Sequence, residues 1–250
     1  MRGEDEYLGR AVRELAAGPA DRGTLGRVLV LVRSSMRTAG ARSVATGRWL
    51  ADVVLRATPH VPVRDLPTLS SHHGGLLGPE LAAALIRNAS NTTATLGAVA
   101  GAVAGAEELL PPAWLAIPAE LLVETLGVVA VELKLVAELH AVYGRPVTGT
   151  PAGRGLAVAR AWAEGRGVRP SELVQPGGVS EALGRTTRRE VTRLVQRRLA
   201  RRALRNMSAL APLFAGAVTG AELNRRATRS LGEAVARDLA ASRPTPPTAS

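Results

Sequence analysis

The sequence lacks cysteine altogether and contains very few aromatic residues. No disulfide, thiolate metal site or cysteine nucleophile can therefore form within these 250 residues. Aromatic residues make up 2% of the chain, so its core must be built mainly from Ala, Leu and Val. Such side chains pack well between helices and fill a sheet sandwich poorly. These absences predict an all-α helical bundle with no β-sheet.

Residues that could build a catalytic or metal centre are also scarce. The four histidines are scattered, and the one adjacent pair, His72 and His73, has only Asp65 nearby. Adjacent histidines seldom meet on one ion without a third ligand from elsewhere. The chain has neither a phosphate-binding loop nor a nucleophile elbow. We therefore predict a non-enzyme without catalytic residues, bound metal or cofactor. A hydrolase that uses the His72/His73 loop is kept as the third hypothesis.

Long hydrophobic runs are missing as well, and the sequence predicts no secretory leader. The chain begins with an acidic segment at residues 1–6, which predicts a cytoplasmic protein. The longest candidates for a membrane span are 13 apolar residues at 94–106 and 16 uncharged residues at 206–221. Both fall short of the roughly 20 apolar residues that cross a bilayer as a helix. No ordinary membrane span is predicted.

Charge is distributed very unevenly along the chain. The net charge is +11, and residues 185–250 contribute 14 basic against 4 acidic side chains, or +10. Residues 94–140, in contrast, carry six acidic side chains and the single Lys134. A basic end and an acidic middle indicate either internal pairing or an anionic external partner.

Hydrophobic spacing and helix-breaking residues predict helices through most of the chain. Residues 28–32 are β-branched enough to suggest a strand, but no partner strand exists, so a helix is favoured there. Pro- and Gly-rich stretches predict loops at 57–78, 145–155 and 166–178. We expect one helical domain over 1–240 and a disordered Pro-rich tail at 241–250. The predicted helices cover 4–17, 24–56, 79–88, 93–110, 114–143, 156–165, 180–207, 209–221 and 222–240.

The predicted helix at 114–143 is amphipathic with a broad apolar arc. At 100° per residue, Glu120, Glu124, Lys134 and Glu138 fall near one face, and Leu and Val occupy the rest. Such a pattern is typical of a helix that is mostly buried.

Two helices carry glycine at four-residue spacing, as in a glycine zipper. The segment at 101–107 recurs at 216–222 with six of seven residues identical. Glycine exposes bare backbone on one helix face, which lets a second helix approach closely. We predict a central pair of Gly-striped helices packed inside the bundle; insertion or oligomerisation within a membrane is the alternative. The predicted packing residues are Gly97, Gly101, Gly105, Gly216 and Gly220.

The predicted helix at 180–207 is strongly basic, with nine arginines between 185 and 205 around a narrow apolar stripe. Such a helix can lie on anionic lipid with its aliphatic stripe inward. It can also bind nucleic-acid phosphates, or remain an exposed face paired with the acidic residues at 107–138. The residues predicted to contact an anionic surface are Arg188, Arg189, Arg193, Arg197, Arg198, Arg201, Arg202 and Arg205.

Several of these segments together resemble the EcsC family of bacterial helical proteins. The resemblance covers about residues 80–235. It includes the Gly/Ala-rich stretch at 92–105, the segment at 111–119, the helix at 132–144, and the basic helix followed by the segment at 212–228. The chain is also similar to actinobacterial proteins rich in Arg and Ala. The matching positions are Gly101, Gly105, Tyr143, Gly144, Gly216, Gly220, Asn224 and Thr228.

The resemblance implies a connection with a membrane transporter, because the founding member of the family is linked to an ABC transporter operon. It carries over no catalytic residue. The leading hypothesis is therefore a non-enzymatic protein that associates peripherally with the cytoplasmic membrane face or with a transporter-type membrane complex. The alternative is a soluble basic helical protein that binds nucleic acid without sequence preference.

Overall fold

The chain folds into packed helices. The computed structural model describes residues 22–39, 58–106, 119–165 and 213–242, together with Tyr7, Glu14, Trp49 and residues 52–54. These residues are 84% helical and include no strand. The prediction of an all-α fold is confirmed, and residues 28–32 are helical rather than a strand.

Six α-helices with described ends and one short 3₁₀ turn at Thr58–His60 contain most of the regular structure of the described residues, and Tyr7, Glu14, Trp49 and residues 52–54 are helical as well. The helices are α1 (Arg22–Ala39), α2 (Leu66–His72), α3 (Gly78–Ala106), α4 (Ala119–Val142), α5 (Pro151–Gly165) and α6 (Leu213–Ala241).

Helix α4 is the centre of the fold and packs against α1, α2, α3, α5 and α6. From 123 to 142 every residue is buried except Lys134 and His140, which are half-buried. Leu126, Leu133 and Leu139 are among the largest side chains enclosed completely. Of the polar face predicted for this helix, Glu124 and Glu138 are buried and Lys134 is half-buried, so the two carboxylates must find partners inside the protein.

Helices α3 and α6 form the most extensive helix–helix contact. Each has 29 residues, or about 43 Å of helix at 1.5 Å per residue. They run antiparallel, since Gly97 of α3 lies against Gly220 whereas Ile86 lies against Gly232. Residues whose numbers add to about 317 therefore lie at the same level along the pair.

The structure merges two pairs of helices that the sequence pattern predicted separately. Residues 79–88 and 93–110 were expected as two helices, but α3 runs without a break through 88–93. Thr92 and Thr95 direct their hydroxyls to the carbonyls of Asn88 and Asn91 one turn earlier, so these polar residues fit within the helix. Likewise α6 replaces the helices predicted at 209–221 and 222–240.

Two stretches predicted as loops contain helices. Helix α2 lies within 57–78, and its first turn is capped by Asp65, which accepts a 3.0 Å hydrogen bond from the Thr68 amide. The hydrogen bonds from the Thr68 side chain and amide lower the pKa of Asp65. Helix α5 begins inside 145–155, where Gly155 is in contact with Pro59: an added Cβ would lie 2.8 Å from the ring. Tertiary packing thus explains a glycine that the local pattern assigned to a loop.

Other predictions fall mainly outside the described residues. Tyr7 and Glu14 are the described positions of the first predicted helix, and both are helical. The predicted basic helix at 180–207 and the tail from 243 onward lie outside. Within the described part of the chain, no helix has the length and apolar character needed to cross a membrane.

Candidate functional site

The backbones of α3 and α6 touch at Gly97 and Gly220. A Cβ placed on Gly97 would lie 2.6 Å from the Gly220 carbonyl oxygen and 2.6 Å from Asn224 Nδ2. Real Cβ atoms are essentially never that close to another heavy atom, and a helix carbonyl cannot swing away as a flexible side chain can. Gly97 is therefore required for this approach of the two helices.

The remaining predicted packing glycines lie in the same two helices. The antiparallel register that places Gly97 at Gly220 brings Gly101 and Gly216 to one level, a turn further along each helix. The structure describes the helical backbone at Gly101, Gly105 and Gly216 but not the side chains around them. Their predicted packing role stays a prediction.

A series of buried, hydrogen-bonded polar side chains begins one turn below the Gly97–Gly220 contact. Asn224 of α6 donates from Nδ2 to the Thr93 carbonyl at 3.2 Å and to Glu124 Oε1 at 2.7 Å. Glu124 belongs to α4 and is buried, as is Asn224. One amide thus joins α3, α4 and α6 within the core.

This hydrogen-bonded series continues to Glu132, whose carboxylate has no solvent exposure. Its Oε1 accepts a 2.8 Å hydrogen bond from the Thr228 hydroxyl, and its Oε2 accepts one of 2.9 Å from the Trp162 indole nitrogen. Thr93 in turn donates to Thr228 Oγ1 at 3.0 Å. We call Thr93, Glu124, Glu132, Trp162, Asn224 and Thr228 the buried polar network.

The network holds four helices in register, because its members come from α3, α4, α5 and α6. Hydrogen bonding is what makes a buried carboxylate tolerable, since burial removes its hydration. The sequence places Glu124 on the polar face of its helix, and it marks Asn224 and Thr228 through the family resemblance. Their i, i+4 spacing places them on one face of α6, and this is the signal that sequence reasoning had for the site.

A third carboxylate on α4, Glu138, binds two positively charged side chains, Arg64 and Lys134. Arg64 contacts it twice, Nε to Oε1 at 2.8 Å and a terminal nitrogen to Oε2 at 3.2 Å. Lys134 Nζ lies 2.9 Å from the same Oε1. Burial lowers the pKa of Lys134, and the charge of Glu138 opposes this effect. The hydrogen bond to Glu138 raises the pKa of Arg64.

The two adjacent histidines, His72 and His73, contact different partners. His73 uses Nδ1 to donate to the Leu69 carbonyl at 3.0 Å, and its Nε2 lies 3.2 Å from Asn88 Nδ2 on α3. His72 Nδ1 instead lies 3.4 Å from an Arg64 nitrogen. His140, the third imidazole here, donates to the Val136 carbonyl. Across the ranges that the structure describes, no three His, Cys, Asp or Glu residues are grouped as metal ligands.

The described residues at one end of the α3–α6 pair carry no charge, and Glu107 and Glu108 follow α3 directly in the sequence. Residues 94–106 of α3 and 213–221 of α6 contain no ionisable side chain, and the antiparallel packing places them side by side. We call these two segments the uncharged end. Val218, within it, is 70% exposed. Charged side chains begin directly below, at Glu222, Arg225 and Arg226.

Comparison with family models, curated proteins and solved structures gives no match to this chain. The resemblance to the EcsC family therefore stays a prediction from the residues. The predicted anionic-surface arginines, at 188–205, lie outside the residues that the structure describes. At the uncharged end, the structure describes the contact of Gly97 with Gly220, the exposed Val218 and the ion pairs of Glu222.

Proposed function

We propose that this chain is a non-enzymatic helical protein that associates peripherally with the cytoplasmic face of a membrane or with a transporter-type membrane complex. The observation that carries the proposal is the uncharged end of the α3–α6 pair. Two helix segments without charge lie together there, and Val218 presents an apolar side chain to the outside. Burial of such a surface against lipid is favourable, because apolar surface then leaves water.

The charge of the chain supports a membrane with anionic lipids as the partner. Residues 185–250 contribute +10, and the nine arginines at 185–205 precede α6 in the sequence. Each basic side chain near an anionic bilayer contributes about 1 kcal/mol to binding. The resemblance to the EcsC family also supports association with a membrane, because it implies a connection with a membrane transporter.

The contacts of the buried polar side chains support the proposal that the protein has no catalytic centre. Glu132 binds Thr228 and Trp162, Glu138 binds Arg64 and Lys134, and His73 joins α2 to α3. These contacts have structural consequences, since each connects separate elements. The proposal accordingly assigns no reaction and no cofactor.

Sedimentation with lipid vesicles tests the proposal. We expect binding to vesicles of phosphatidylglycerol and phosphatidylcholine to exceed binding to phosphatidylcholine alone, and to weaken steeply as salt is added. Replacing Arg193, Arg197 and Arg201 together by Gln should reduce the affinity roughly 100-fold, given about 1 kcal/mol for each charge. The matched control replaces three exposed arginines elsewhere, Arg87, Arg154 and Arg237, by Gln.

Two results would contradict this function. Equal binding to both kinds of vesicle would remove the electrostatic part of the proposal. Absence of vesicle binding, combined with salt-sensitive binding to duplex DNA of any sequence, would favour the nucleic-acid alternative, since phosphate neutralisation gives affinity without sequence preference.

A further inference from the structure

Lysine occurs once in this chain, at position 134, among 32 basic residues. All the others are arginines, whose guanidinium groups stay protonated in proteins. Lys134 is therefore the only side-chain primary amine that the chain can offer for covalent chemistry with a carbonyl compound. It lies in the described part of α4, and its side chain is 14% exposed, so it is covered but not sealed from solvent.

Lys134 and Arg64 contact the same oxygen atom of Glu138. Lys134 Nζ lies 2.9 Å from Glu138 Oε1, and Arg64 Nε donates to that oxygen at 2.8 Å. A second nitrogen of Arg64, Nη2, donates to Glu138 Oε2 at 3.2 Å. Arg64 thus binds both carboxylate oxygens, so Glu138 keeps a positively charged partner when Lys134 loses its proton.

The surroundings of Lys134 favour its neutral form more than water does. Burial has the largest effect and lowers the pKa of Lys134, and the charge of Arg64 lowers it further. The charge of Glu138 and its hydrogen bond act in the opposite direction, but the pKa of Lys134 is lowered overall. The neutral amine is the nucleophile in imine formation, so this shift increases the reactive share of Lys134.

Arg64 also presents a nitrogen that suits a ligand carboxylate. Its Nη1 takes no part in the contact with Glu138 and lies 3.4 Å from His72 Nδ1, in an exposed position. The Arg64 side chain is 32% exposed. With His72 neutral, Arg64, Lys134 and Glu138 have a formal charge of +1, two positive charges less one negative. One carboxylate bound to Arg64 would neutralise this charge.

We infer that Lys134 binds a small 2-oxo acid covalently as a Schiff base, with the ligand carboxylate on Arg64. Lys134 gives a proton to Glu138, and its nitrogen then attacks the ketone carbon to form a C–N bond. The nitrogen of this adduct passes a proton to the former ketone oxygen. Glu138 returns its own proton to the same oxygen, and the C–O bond breaks to release water. The product is a protonated imine, which keeps the positive charge that Glu138 binds.

The inference concerns covalent binding without turnover, and it is independent of the proposed membrane association. Reductive trapping of the folded chain with pyruvate and sodium cyanoborohydride at neutral pH tests it. The reductant converts the imine to a stable secondary amine, and peptide mass spectrometry locates that amine. We expect a labelling rate at Lys134 that saturates with pyruvate. It should exceed the rate of a lysine in a short unstructured peptide at least about tenfold, because the ligand is held beside the amine.

The role of Arg64 is tested by comparing pyruvate with acetone, a ketone that has no carboxylate. In Arg64→Gln, the preference of Lys134 for pyruvate over acetone should fall at least about tenfold, because the partner of the carboxylate is lost. The matched control is Arg87→Gln, at an exposed position of α3, which should keep the wild-type preference. Circular dichroism checks that both variants keep their helices. An unchanged preference in a folded Arg64→Gln chain would show that Arg64 does not bind the ligand, and would overturn the inference.

Two further results would overturn it in the wild-type chain. Labelling of Lys134 only after unfolding in urea would show that its amine serves solely as an ion-pair partner of Glu138. A rate that rises in proportion to pyruvate without saturation would show chemical reactivity without a binding site. Neither result bears on membrane association, because the trapping experiment contains no lipid.

Discussion

Thr228 occupies a central position among the single residues of the core, because its hydroxyl lies between two buried partners. It accepts from Thr93 and donates to Glu132, the carboxylate that also binds Trp162. A donor missing next to a buried carboxylate leaves that group with an uncompensated loss of hydration. The contribution of Thr228 therefore comes from the hydroxyl rather than from the volume of the side chain.

We predict that Thr228→Val lowers the free energy of unfolding by about 1–3 kcal/mol, the cost of leaving a buried partner without its hydrogen bond. Urea denaturation followed by circular dichroism measures the change. Ser230→Ala, at an exposed position two residues away, is the control and should change stability by less than about 0.5 kcal/mol. A Thr228→Val chain as stable as the wild type would show that the hydroxyl contributes nothing to the network.

The partners of the buried carboxylates could not be identified from the sequence. Glu124 had been placed on the polar face of its helix, and Asn224 had been noted through the family resemblance. Their contact joins positions 100 residues apart, and no local pattern records such a distance. The partners of Glu132 could not be identified from the sequence either, because its hydrogen-bond donors come from the separate helices α5 and α6.

Among the helices, the α3–α6 pair depends on close backbone approach. The two helices touch where Gly97 meets Gly220, and Asn224 continues from that point into the buried polar network. A side chain at position 97 would have to push against a carbonyl fixed by the helix. Separating the helices would also disturb the hydrogen bond from Asn224 to Glu124.

We predict that Gly97→Ala lowers the free energy of unfolding by about 1–3 kcal/mol, the usual cost of overpacking a core. The matched control is Gly26→Ala in α1, where an added Cβ has nothing within 4 Å. Alanine is the better helix former, so this control should raise stability by about 0.5–1 kcal/mol. Thermal denaturation of both variants gives opposite signs if the contact exists. The same sign in both would contradict the close packing at Gly97.

At the scale of the whole molecule, α4 connects the described helices. It packs against five of them, and Leu133 near its middle is enclosed completely. A helix in this position makes the stability of each neighbour depend on the others. Unfolding should therefore be cooperative rather than helix by helix.

We predict that Leu133→Ala lowers the free energy of unfolding by about 2–5 kcal/mol through the cavity it leaves. Circular dichroism and tryptophan fluorescence should report the same shifted transition, because Trp162 is bonded to α4 through Glu132. Val30→Ala, at an exposed position of α1, should change the free energy of unfolding by less than about 0.5 kcal/mol. Two separate transitions would show that the bundle is not one cooperative unit.

Composition and periodicity alone determined the all-α class, the extent of the buried central helix and the uneven distribution of charge. They could do so because helix formation and amphipathic spacing depend on residues within a few turns of one another. Only the tertiary structure decided that α3 and α6 are continuous helices, that Gly97 lies on Gly220 and that Glu132 is satisfied by Thr228 and Trp162. These features arise from contacts between distant segments, whose free energy exceeds the weak local preferences that marked breaks at 88–93 and 221–222.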